Sequence, residues 1–402
     1  MIESILNACF YVLTLGLYYY KSKRVDLYFT VLSAYTAVAL LGTYNFLGGV
    51  FKDEYHLSIF RLLYLFVVVM ICISPLQKAD FKSKDISIID NRYITVLLLF
   101  FIVCGLITIS FTLPKAIMLQ SIGEWGELRS DVYSGDSTVT LYDSQQERFF
   151  HNCFSYLLPF GCIMAFYQLT KSKINIWLTS ILFALISLSA YASATLVASR
   201  GLIMMFAVKM LILYMIFRKQ IPNYRKKYIA IVVSFVALFL ISYTMAVTES
   251  RFGDESNESL YYYFGHSMFA FDDGIMRTMY DYAGGKYQFG WLYRILGVDS
   301  KFNWLNLGCT HGTAFMTFVG NLYVDFGPFF TPVVAILMSM LLSKYTSKYR
   351  YQLSDLVIIA FAATWYAEGV FVFSGDQSLQ WLMVFVVSFI VKVLECKRSN
   401  RI

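Results

Sequence analysis

Residues 93–113 read YITVLLLFFIVCGLITISFTL, a run without a charged side chain. A membrane-crossing helix needs about 20 mostly apolar residues, because hydrocarbon about 30 Å thick offers no hydrogen-bond partner to the backbone. This run meets that requirement and predicts a transmembrane helix. The pattern recurs along the chain and predicts about eleven such spans. They are residues 2–20, 27–49, 56–76, 93–113, 150–170, 174–198, 201–217, 228–247, 312–342, 355–373 and 377–394.

The composition independently indicates a membrane protein. Of 402 residues, 58% are hydrophobic and 15% are charged, which is far too apolar for a soluble domain of this size. No linker divides the spans, so we predict an all-α polytopic membrane helix bundle that forms a single integral domain over residues 1–402. The net charge of +7 does not indicate a nucleic-acid partner, because the position of cations in a membrane chain matters more than their sum. The partner that this composition requires is the lipid bilayer.

The lysines and arginines between the spans fall on one side of the membrane when the spans alternate in direction. By the positive-inside rule this side is cytoplasmic, which places the N-terminus outside and the C-terminus inside. The two longest loops, residues 114–149 and 248–310, then share the extracytoplasmic side. The cations predicted to be cytoplasmic are Lys21, Lys23, Arg24, Lys78, Lys82, Lys84, Arg92, Lys171, Lys173, Arg218, Lys219, Arg225, Lys226, Lys227, Lys344, Lys348, Arg350, Lys392, Lys397, Arg398 and Arg401.

The sequence predicts neither a metal site nor a cofactor. Its 7 cysteines form no C-x-x-C pair, and its 4 histidines have no metal-ligand spacing. Nucleotide-binding and nucleophile-elbow motifs are missing. Asp272 and Asp273 are adjacent in the second long loop, but they do not form the D-x-D signature of enzymes that use sugar nucleotides. The free energy for a reaction must therefore come from the substrate or from a gradient.

Four arginines on the predicted external side are candidates for binding phosphate. Arg200 lies in a tight turn between two spans, and Arg251 follows the eighth span, while Arg129 and Arg277 lie in the two long loops. A guanidinium binds phosphate or pyrophosphate bidentately. For Arg200 the alternative is an arginine that caps a helix end at the membrane surface. For the other three, an ordinary ion pair with a neighbouring carboxylate is the more frequent explanation.

The second long loop interleaves aromatic and charged residues. Aromatic faces beside carboxylates, arginines and amides suit a sugar, whose apolar C–H faces are bordered by hydroxyl groups. The alternative is a belt of aromatic side chains at headgroup depth, which is the more frequent explanation for any single Tyr or Trp. The residues concerned include Tyr261, Tyr262, Tyr263, His266, Phe271, Tyr280, Tyr282, Tyr287, Trp291, Tyr293 and Trp304.

Two histidines and one carboxylate complete the candidates. His311, at the start of the ninth span, and His266 are placed to act as a base or as a phosphate partner, although a histidine with satisfied hydrogen bonds at the interface is the alternative. Asp325 falls inside the ninth span, where a carboxylate is unfavourable enough to indicate either a function or an ion pair, for example with Lys209. This span is too long for one upright crossing, which indicates that its first residues are interfacial or that it is tilted or bent near Pro328 and Pro332.

Three short elements together resemble the O-antigen polymerase (Wzy) family. They are the turn Ser199, Arg200 and Gly201, the element Glu127, Leu128 and Arg129, and His311 leading into Tyr323, Asp325, Phe326 and Gly327. The resemblance covers most of the chain in topology, but it lacks the long duplicated arginine-rich loop motifs of some polymerases.

The resemblance implies a GT-C-like glycosyltransferase at the periplasmic face of the bacterial inner membrane. Such an enzyme joins undecaprenyl-pyrophosphate-linked oligosaccharide repeat units of O-antigen, capsule or exopolysaccharide without nucleotide sugars. It implies that Arg200 and Arg251 bind the donor pyrophosphate, with Arg129 and Arg277 as helpers. His311 or an external carboxylate would activate the acceptor hydroxyl, and His266, Tyr323 and Asp325 would contact substrate. A chain-length regulator and a flippase are the candidate protein partners.

Three other functions remain open at this point. An O-antigen ligase shares an outward histidine and external arginines, but it transfers finished glycan to lipid A core or protein. A polysaccharide flippase or other transporter is typically built from internal repeats with charges through the bundle centre, whereas this chain concentrates its polar residues outside. A structural partner of a glycan-assembly complex would keep its function when every external arginine is replaced.

Overall fold

The computed structural model describes most of the chain and shows an all-α polytopic membrane protein. The described residues are 1–49, 51, 55–81, 84–89, 91–122, 142–197, 199–227, 229–230, 265–301, 304–309, 316–371 and 377–396. Their helices are α1 (Ile2–Ser22), α2 (Leu27–Leu47), α3 (Ile59–Ile73), α4 (Arg92–Ile122), α5 (Gln145–Gln168), α6 (Ile176–Leu196), α7 (Arg200–Phe217), α8 (Gly290–Ile295), α9 (Trp304–Leu307), α10 (Phe318–Thr346), α11 (Leu353–Glu368) and α12 (Gln377–Cys396).

Several irregular elements supplement these helices. A 3-10 turn, Ser74–Lys78, extends α3, and a short α-helical turn, Ser267–Phe269, runs into a π-helical segment, Ala270–Arg277. Two strands, β1 (Asp85–Ser87) and β2 (Arg350–Gln352), form a parallel two-stranded sheet in which Ile86 lies opposite Tyr351.

Helix starts follow from local capping chemistry. Asp26 accepts the Phe29 N–H at the start of α2, at 3.0 Å, and Asn175 accepts the Leu178 N–H at the start of α6, at 3.1 Å. At α5, Ser144 accepts the Glu147 N–H while the Glu147 carboxylate accepts the Asp143 N–H. Each cap satisfies a backbone donor that the first helical turn leaves without an internal partner.

Eight helices in the described part of the chain are long and apolar enough to cross a membrane. They are Ile2–Ser22, Leu27–Leu47, Ile59–Lys78, Arg92–Gln120, Gln145–Gln168, Ile176–Leu196, Phe318–Thr346 and Gln377–Cys396. The predicted spans 201–217 and 355–373 correspond to the shorter helices α7 and α11, of 18 and 16 residues. The predicted span 228–247 lies almost wholly outside the described residues.

Of the alternatives predicted for the ninth span, the structure shows a bend. Gly327 has φ 65° and ψ −172° within α10, directly before Pro328, so the helix is broken there. Proline has no N–H to donate, and the positive φ favours glycine because it has no Cβ. Broken helices at membrane depth occur where neighbouring groups satisfy the freed backbone, and they often mark binding sites.

The chain divides into two compact units. The first unit comprises Met1–Asp80, Asn257–Tyr349 and Phe361–Met383, and the second comprises Phe81–Ser256, Arg350–Ala360 and Val384–Ile402. The first unit contains α1, α2, α3, the π-helical segment and α10. The second contains α4 to α7, where aromatic rings fill the space beside small residues. Phe101 and Phe154, for example, stack at 4.9 Å in contact with Gly161 and Gly105 respectively.

Some contacts join two loops that the sequence places on the same side of the membrane. In the first unit, Arg24 pairs with Asp80 at 2.7 Å, and both lie in loops predicted to be cytoplasmic. In the second unit, β1 pairs with β2, and Arg225 donates to the carbonyls of Leu169, Lys171 and Ser172; these also join predicted cytoplasmic loops.

Residues at or near the ends of helices that the sequence places on the external side also make contacts within each unit. In the first unit the Thr43 hydroxyl donates to the Ser4 carbonyl at 2.8 Å. In the second unit Lys115 pairs with Asp143 at 2.9 Å. Within each unit, these contacts join segments that the sequence places on the same side, and the side that each segment faces stays a prediction.

The structure describes parts of the two segments predicted as long loops, and the first, residues 114–149, was predicted to be partly helical. Helix α4 continues through Pro114 to Ile122, so the first eight or so residues assigned to the loop 114–149 are helical. In the second loop, much of the described part from residue 265 to 290 is buried, including Asp272 and Asp273 at 0% exposure. This part of the second long segment is therefore folded.

Candidate functional site

The π-helical segment is anchored in the first unit by a close approach to α2. A Cβ on Gly265 would lie 2.9 Å from Gly42 Cα, and a Cβ on Gly42 would lie 2.5 Å from the Gly265 carbonyl oxygen. Only glycine permits this backbone approach. Next to it, Phe269 lies 6.0 Å from both Phe46 and Phe51 between ring centroids. The segment is thus fixed in apolar surroundings just before its two carboxylates.

Asp272 and Asp273 bind the start of α3. Asp272 accepts hydrogen bonds from the Ser58 N–H, at 2.7 Å, and from Arg61 Nε. Asp273 accepts the His56 N–H at 3.1 Å and pairs with Arg277 Nε at 2.5 Å. Both carboxylate side chains have 0% exposure. Each buried carboxylate is therefore held by one backbone N–H and one guanidinium.

The two arginines are less buried than the carboxylates that they neutralise. The side chain of Arg61 is 22% exposed and that of Arg277 is 39% exposed. Each guanidinium carries five N–H donors, and the described bonds of each use only some of them. Both arginines can therefore contact an anion that approaches from the exposed side.

Burial raises the pKa of Asp272 to about 6, although the Ser58 N–H and the Arg61 guanidinium oppose this shift. Desolvation disfavours the charged carboxylate, and the adjacent Asp273 carboxylate acts in the same direction. A carboxylate whose pKa lies nearer to neutrality is a better general base than an ordinary aspartate.

The break in α10 lies beside an aromatic cluster, which consists of Tyr64, Tyr282 and Tyr323. The ring of Tyr323 lies 6.1 Å from Tyr64 and 6.0 Å from Tyr282, edge to face in both cases. A Cβ on Gly327 would lie 2.8 Å from the Tyr282 ring, so the glycine also makes room for this ring. The Tyr64 hydroxyl donates to the carbonyl of Pro328 at 2.9 Å, which satisfies a backbone group at the break.

The aromatic cluster adjoins the carboxylate pair. Phe271, next to Asp272, lies 5.7 Å from Tyr323 between ring centroids. On α3, Arg61 and Tyr64 are three residues apart and therefore share one face of the helix. The arginines, the carboxylates and the tyrosines thus form one site in the first unit, which we call the acidic-aromatic site.

Asp325 has a structural environment of its own. Its carboxylate accepts the N–H groups of Gly285 and Tyr287, each at 3.0 Å, and of Gln288 at 2.6 Å. The described contacts of Asp325 within the first unit are therefore three backbone donors. The carbonyl of Val324 also accepts the Ala283 N–H at 2.8 Å. Asp325 consequently fixes the segment 283–288 against the broken helix.

A buried polar network continues from this segment. Gln288 donates to the Asn321 carbonyl at 3.4 Å, and the Asn321 amide donates to the Gln377 side chain at 2.7 Å. Trp291 Nε1 donates to the Ser378 hydroxyl at 2.8 Å, and that hydroxyl donates to the Gln288 carbonyl. These bonds tie α8 and the start of α12 to α10.

The structure brings four of the residues predicted for the site into the first unit: Arg277, His266, Tyr323 and Asp325. Arg277 and Tyr323 belong to the acidic-aromatic site. His266 is buried, since it is 6% exposed, and its Nδ1 lies 3.4 Å from the Tyr55 hydroxyl. Burial lowers the pKa of His266 to about 4, which keeps the ring neutral near pH 7.

The other four predicted residues cannot be assessed in the same way. Arg200 begins α7 in the second unit, and the position of its side chain is not among the described features. Arg129, Arg251 and His311 lie outside the described residues. Their roles stay predictions.

The sequence analysis missed Arg61 as a site residue. It lies inside the apolar run 56–76 and was treated as part of a span. The signal that points to it is a charged residue within a membrane segment, which is unfavourable unless it is paired or functional. Its partner Asp272 is 211 residues away, so no local pattern links the two.

The described residues contain no group of three or more His, Cys, Asp or Glu side chains that could hold a metal ion. The comparisons with known proteins add no assignment: no protein-family model, no curated protein and no solved structure matches this chain.

Proposed function

We propose that this chain is a membrane glycosyltransferase that polymerises undecaprenyl-pyrophosphate-linked oligosaccharide repeat units, as the resemblance to the O-antigen polymerases implies. The observation that carries the proposal is the acidic-aromatic site: two part-exposed arginines, two buried carboxylates and three tyrosines beside a broken apolar helix. Each of these groups matches one chemical part of such a substrate.

The arginines match the leaving group. Transfer of the growing chain breaks the bond between its anomeric carbon and the lipid pyrophosphate, and negative charge develops on the pyrophosphate. Arg61 and Arg277 offer guanidinium donors to that charge, and such electrostatic stabilisation is commonly the largest catalytic contribution. The proposal also keeps the roles that the resemblance implies for residues whose side chains are not described. Arg200 and Arg251, with Arg129 as a helper, would bind the donor pyrophosphate, and His311 would activate the acceptor hydroxyl.

The tyrosines match the sugar. The rings of Tyr64, Tyr282 and Tyr323 offer apolar faces with polar edges, and Tyr282 is 37% exposed. Pyranose C–H faces stack on such rings, while carboxylates and amides accept sugar hydroxyls.

The predicted membrane sides support the same conclusion. The sequence places the start of α3 and the segment 248–310 on the extracytoplasmic side. The two segments are in contact through His56, Ser58 and Arg61. A lipid-linked oligosaccharide on the periplasmic leaflet would meet the site from this side, with its lipid tail beside the apolar helices.

The test is the glycan ladder of source cells that lack the gene and carry plasmid copies of the wild type or of a variant. We expect deletion to leave a single capped repeat, wild type to restore the ladder, and Arg277→Gln to leave it collapsed although the protein is present in the membrane. Lys115→Gln, which removes an external cation of the second unit, is the matched control and should restore the ladder. An unchanged ladder on deletion would refute polymerisation, and undecorated core alone would indicate ligation or export.

A further inference from the structure

The two carboxylate–arginine pairs of the acidic-aromatic site are not equivalent. Arg277 lies four residues after Asp273 on the same segment and donates through both Nε, at 2.5 Å, and Nη2, at 3.3 Å. Arg61 donates to Asp272 through Nε alone, while its Nη2 donates to the His56 carbonyl at 2.6 Å. The Arg61 guanidinium thus holds Asp272 by one described bond. Of the two pairs, Arg61–Asp272 is therefore the one that we expect to separate more readily.

Among the described contacts of Asp272, Arg61 is the side chain bonded to Oδ1. The carboxylate has 0% exposure and its Oδ2 is fixed by the Ser58 N–H, which cannot move without the start of α3. Arg61 is 22% exposed and lies on a long, flexible side chain. A ligand that attracts the guanidinium therefore uncovers Oδ1 and leaves the Ser58 bond in place.

We propose that Arg61 exchanges partners during the reaction: it leaves Asp272 for the pyrophosphate of the lipid-linked donor, and Asp272 then accepts the proton of the acceptor hydroxyl. This inference rests on the proposed function and deepens it. Substrate binding itself thereby converts a neutralised carboxylate into a catalytic base.

The step balances without a further reactant. The acceptor O–H bond breaks and its proton passes to the Asp272 carboxylate. The acceptor oxygen forms a bond with the anomeric carbon of the growing chain, and the bond from that carbon to the pyrophosphate oxygen breaks. The electron pair leaves with the pyrophosphate, whose charge Arg61 neutralises, and Asp272 later releases the proton to water.

Electrostatics give the exchange its direction. A pyrophosphate diester carries two negative charges, and a guanidinium binds phosphate oxygens bidentately. After the exchange, Asp272 is a buried carboxylate without its cation and beside a second carboxylate, so proton uptake is favoured. The charged groups around it in the described structure are Arg61 of α3 and, on its own segment, Asp273 and Arg277.

The experiment measures proton uptake on anion binding and does not require glycosyl transfer. The purified full-length protein in detergent micelles is titrated near pH 7 with dimethyl pyrophosphate, a diester with no proton to exchange near neutrality. Isothermal titration calorimetry in two buffers of different ionisation enthalpy gives the number of protons taken up per ligand bound. Each variant is first checked for a thermal unfolding transition like that of the wild type.

We expect wild type to take up about one proton per ligand, because no acceptor hydroxyl is present in this titration and the unpaired Asp272 carboxylate takes its proton from water in place of the acceptor. Asp272→Asn should bind the diester without proton uptake, and Asp273→Asn should retain the uptake. Arg61→Gln should bind at least tenfold more weakly.

Binding without proton uptake in wild type, equal uptake in Asp272→Asn, or no binding by wild type would each overturn the partner exchange. None of these results bears on whether deletion collapses the glycan ladder, so a failure of this inference is distinguishable from a failure of the proposed function.

Discussion

The two units of this protein bury carboxylates in different ways. In the second unit, Glu395 accepts the backbone N–H groups of Leu353 and Ser354, at 3.1 and 3.4 Å, at the start of α11. In the first unit, Asp272 and Asp273 each combine a backbone donor with a part-exposed arginine. Glu395 therefore acts as a helix cap, whereas each carboxylate of the first-unit pair is bonded to an arginine side chain that is partly exposed.

This difference separates structural carboxylates from candidates for chemistry. Asp325 lies in the first unit, but its three backbone donors make it resemble Glu395 more than Asp272. A carboxylate bonded only to backbone N–H groups organises the chain around it, because those donors cannot leave without local unfolding. A carboxylate paired with an accessible guanidinium can respond to a ligand. Burial of a carboxylate alone is thus a poor guide to function.

The largest expected effect is on activity. Asp272→Asn removes the proposed base without changing the side-chain shape, and general-base catalysis contributes roughly 100- to 10,000-fold to a rate. We expect at least about 100-fold less polymerised glycan per milligram of membrane protein. Glu395→Gln, the matched change in the second unit, should stay within about threefold of wild type because its role is capping. Equal losses in both variants would remove the distinction between the units.

A second comparison concerns stability. Arg61→Ala leaves the buried Asp272 carboxylate without its cation. We expect the free energy of unfolding to fall by about 3 kcal/mol. This value is near the lower end for broken buried pairs, because Arg61 is partly exposed. Lys115→Ala in the second unit breaks a pair whose Asp143 side chain is 61% exposed and should change stability by less than about 1 kcal/mol. Thermal unfolding in detergent measures both.

Adding Asp272→Asn to Arg61→Ala provides the control, because the double variant no longer buries an unpaired charge. It should recover much of the lost unfolding temperature. A double variant that is less stable than Arg61→Ala would show that the packing of Arg61 matters more than its charge.

A third comparison concerns two glycines. Gly327→Ala places a Cβ 2.8 Å from the Tyr282 ring at φ 65°, and we expect a loss of about 1–3 kcal/mol. Gly201→Ala, in the first turn of α7, places its Cβ no closer than 3.7 Å to the Ser199 hydroxyl and should leave stability within about 0.5 kcal/mol. The same unfolding assay tests this pair. A neutral Gly327→Ala would contradict the strained break in α10.

The smallest expected effect is a pH dependence with two opposing contributions. The folded-state pKa of Asp272, about 6, lies above its ordinary value of 3.8, so its contribution to stability is complete below pH 3.8 and is lost as pH rises through about 6. The folded-state pKa of His266, about 4, lies below its ordinary value of 6.5. Its contribution is complete above pH 6.5 and is lost as pH falls through about 4.

Unfolding temperatures between pH 4 and pH 7 separate these contributions. Asp272→Asn cannot ionise at this position, so its unfolding temperature should rise relative to that of wild type as pH rises through 6. His266→Gln cannot become protonated at this position, so it should lose less stability than wild type as pH falls toward 4. Gly201→Ala, which changes no titratable group, should follow the wild-type profile. Parallel profiles for all four proteins would show that neither group sets the pH response.

Parts of the site were predictable because their signals are local. Arg277 stands out as a charged residue in a long segment between spans, whereas Tyr323 was named only through the family resemblance and Asp272 and Asp273 were noted without a role. The role of Asp325 was not predictable, because backbone N–H groups carry no sequence signal and its donors lie about 40 residues away in the chain. The burial of His266 was not predictable either, because its neighbour Gly265 approaches Gly42, which is far away in the chain.

The sequence by itself determined the fold class and the positions of most of the apolar helices that the structure describes. Both follow from the requirement that a chain in hydrocarbon bond its own backbone. Only the tertiary structure decided that Arg61 meets Asp272, that Asp325 caps a loop segment and that Tyr282 lies against Gly327. Those contacts join residues far apart in the chain, and packing selects them among many partners that the sequence permits.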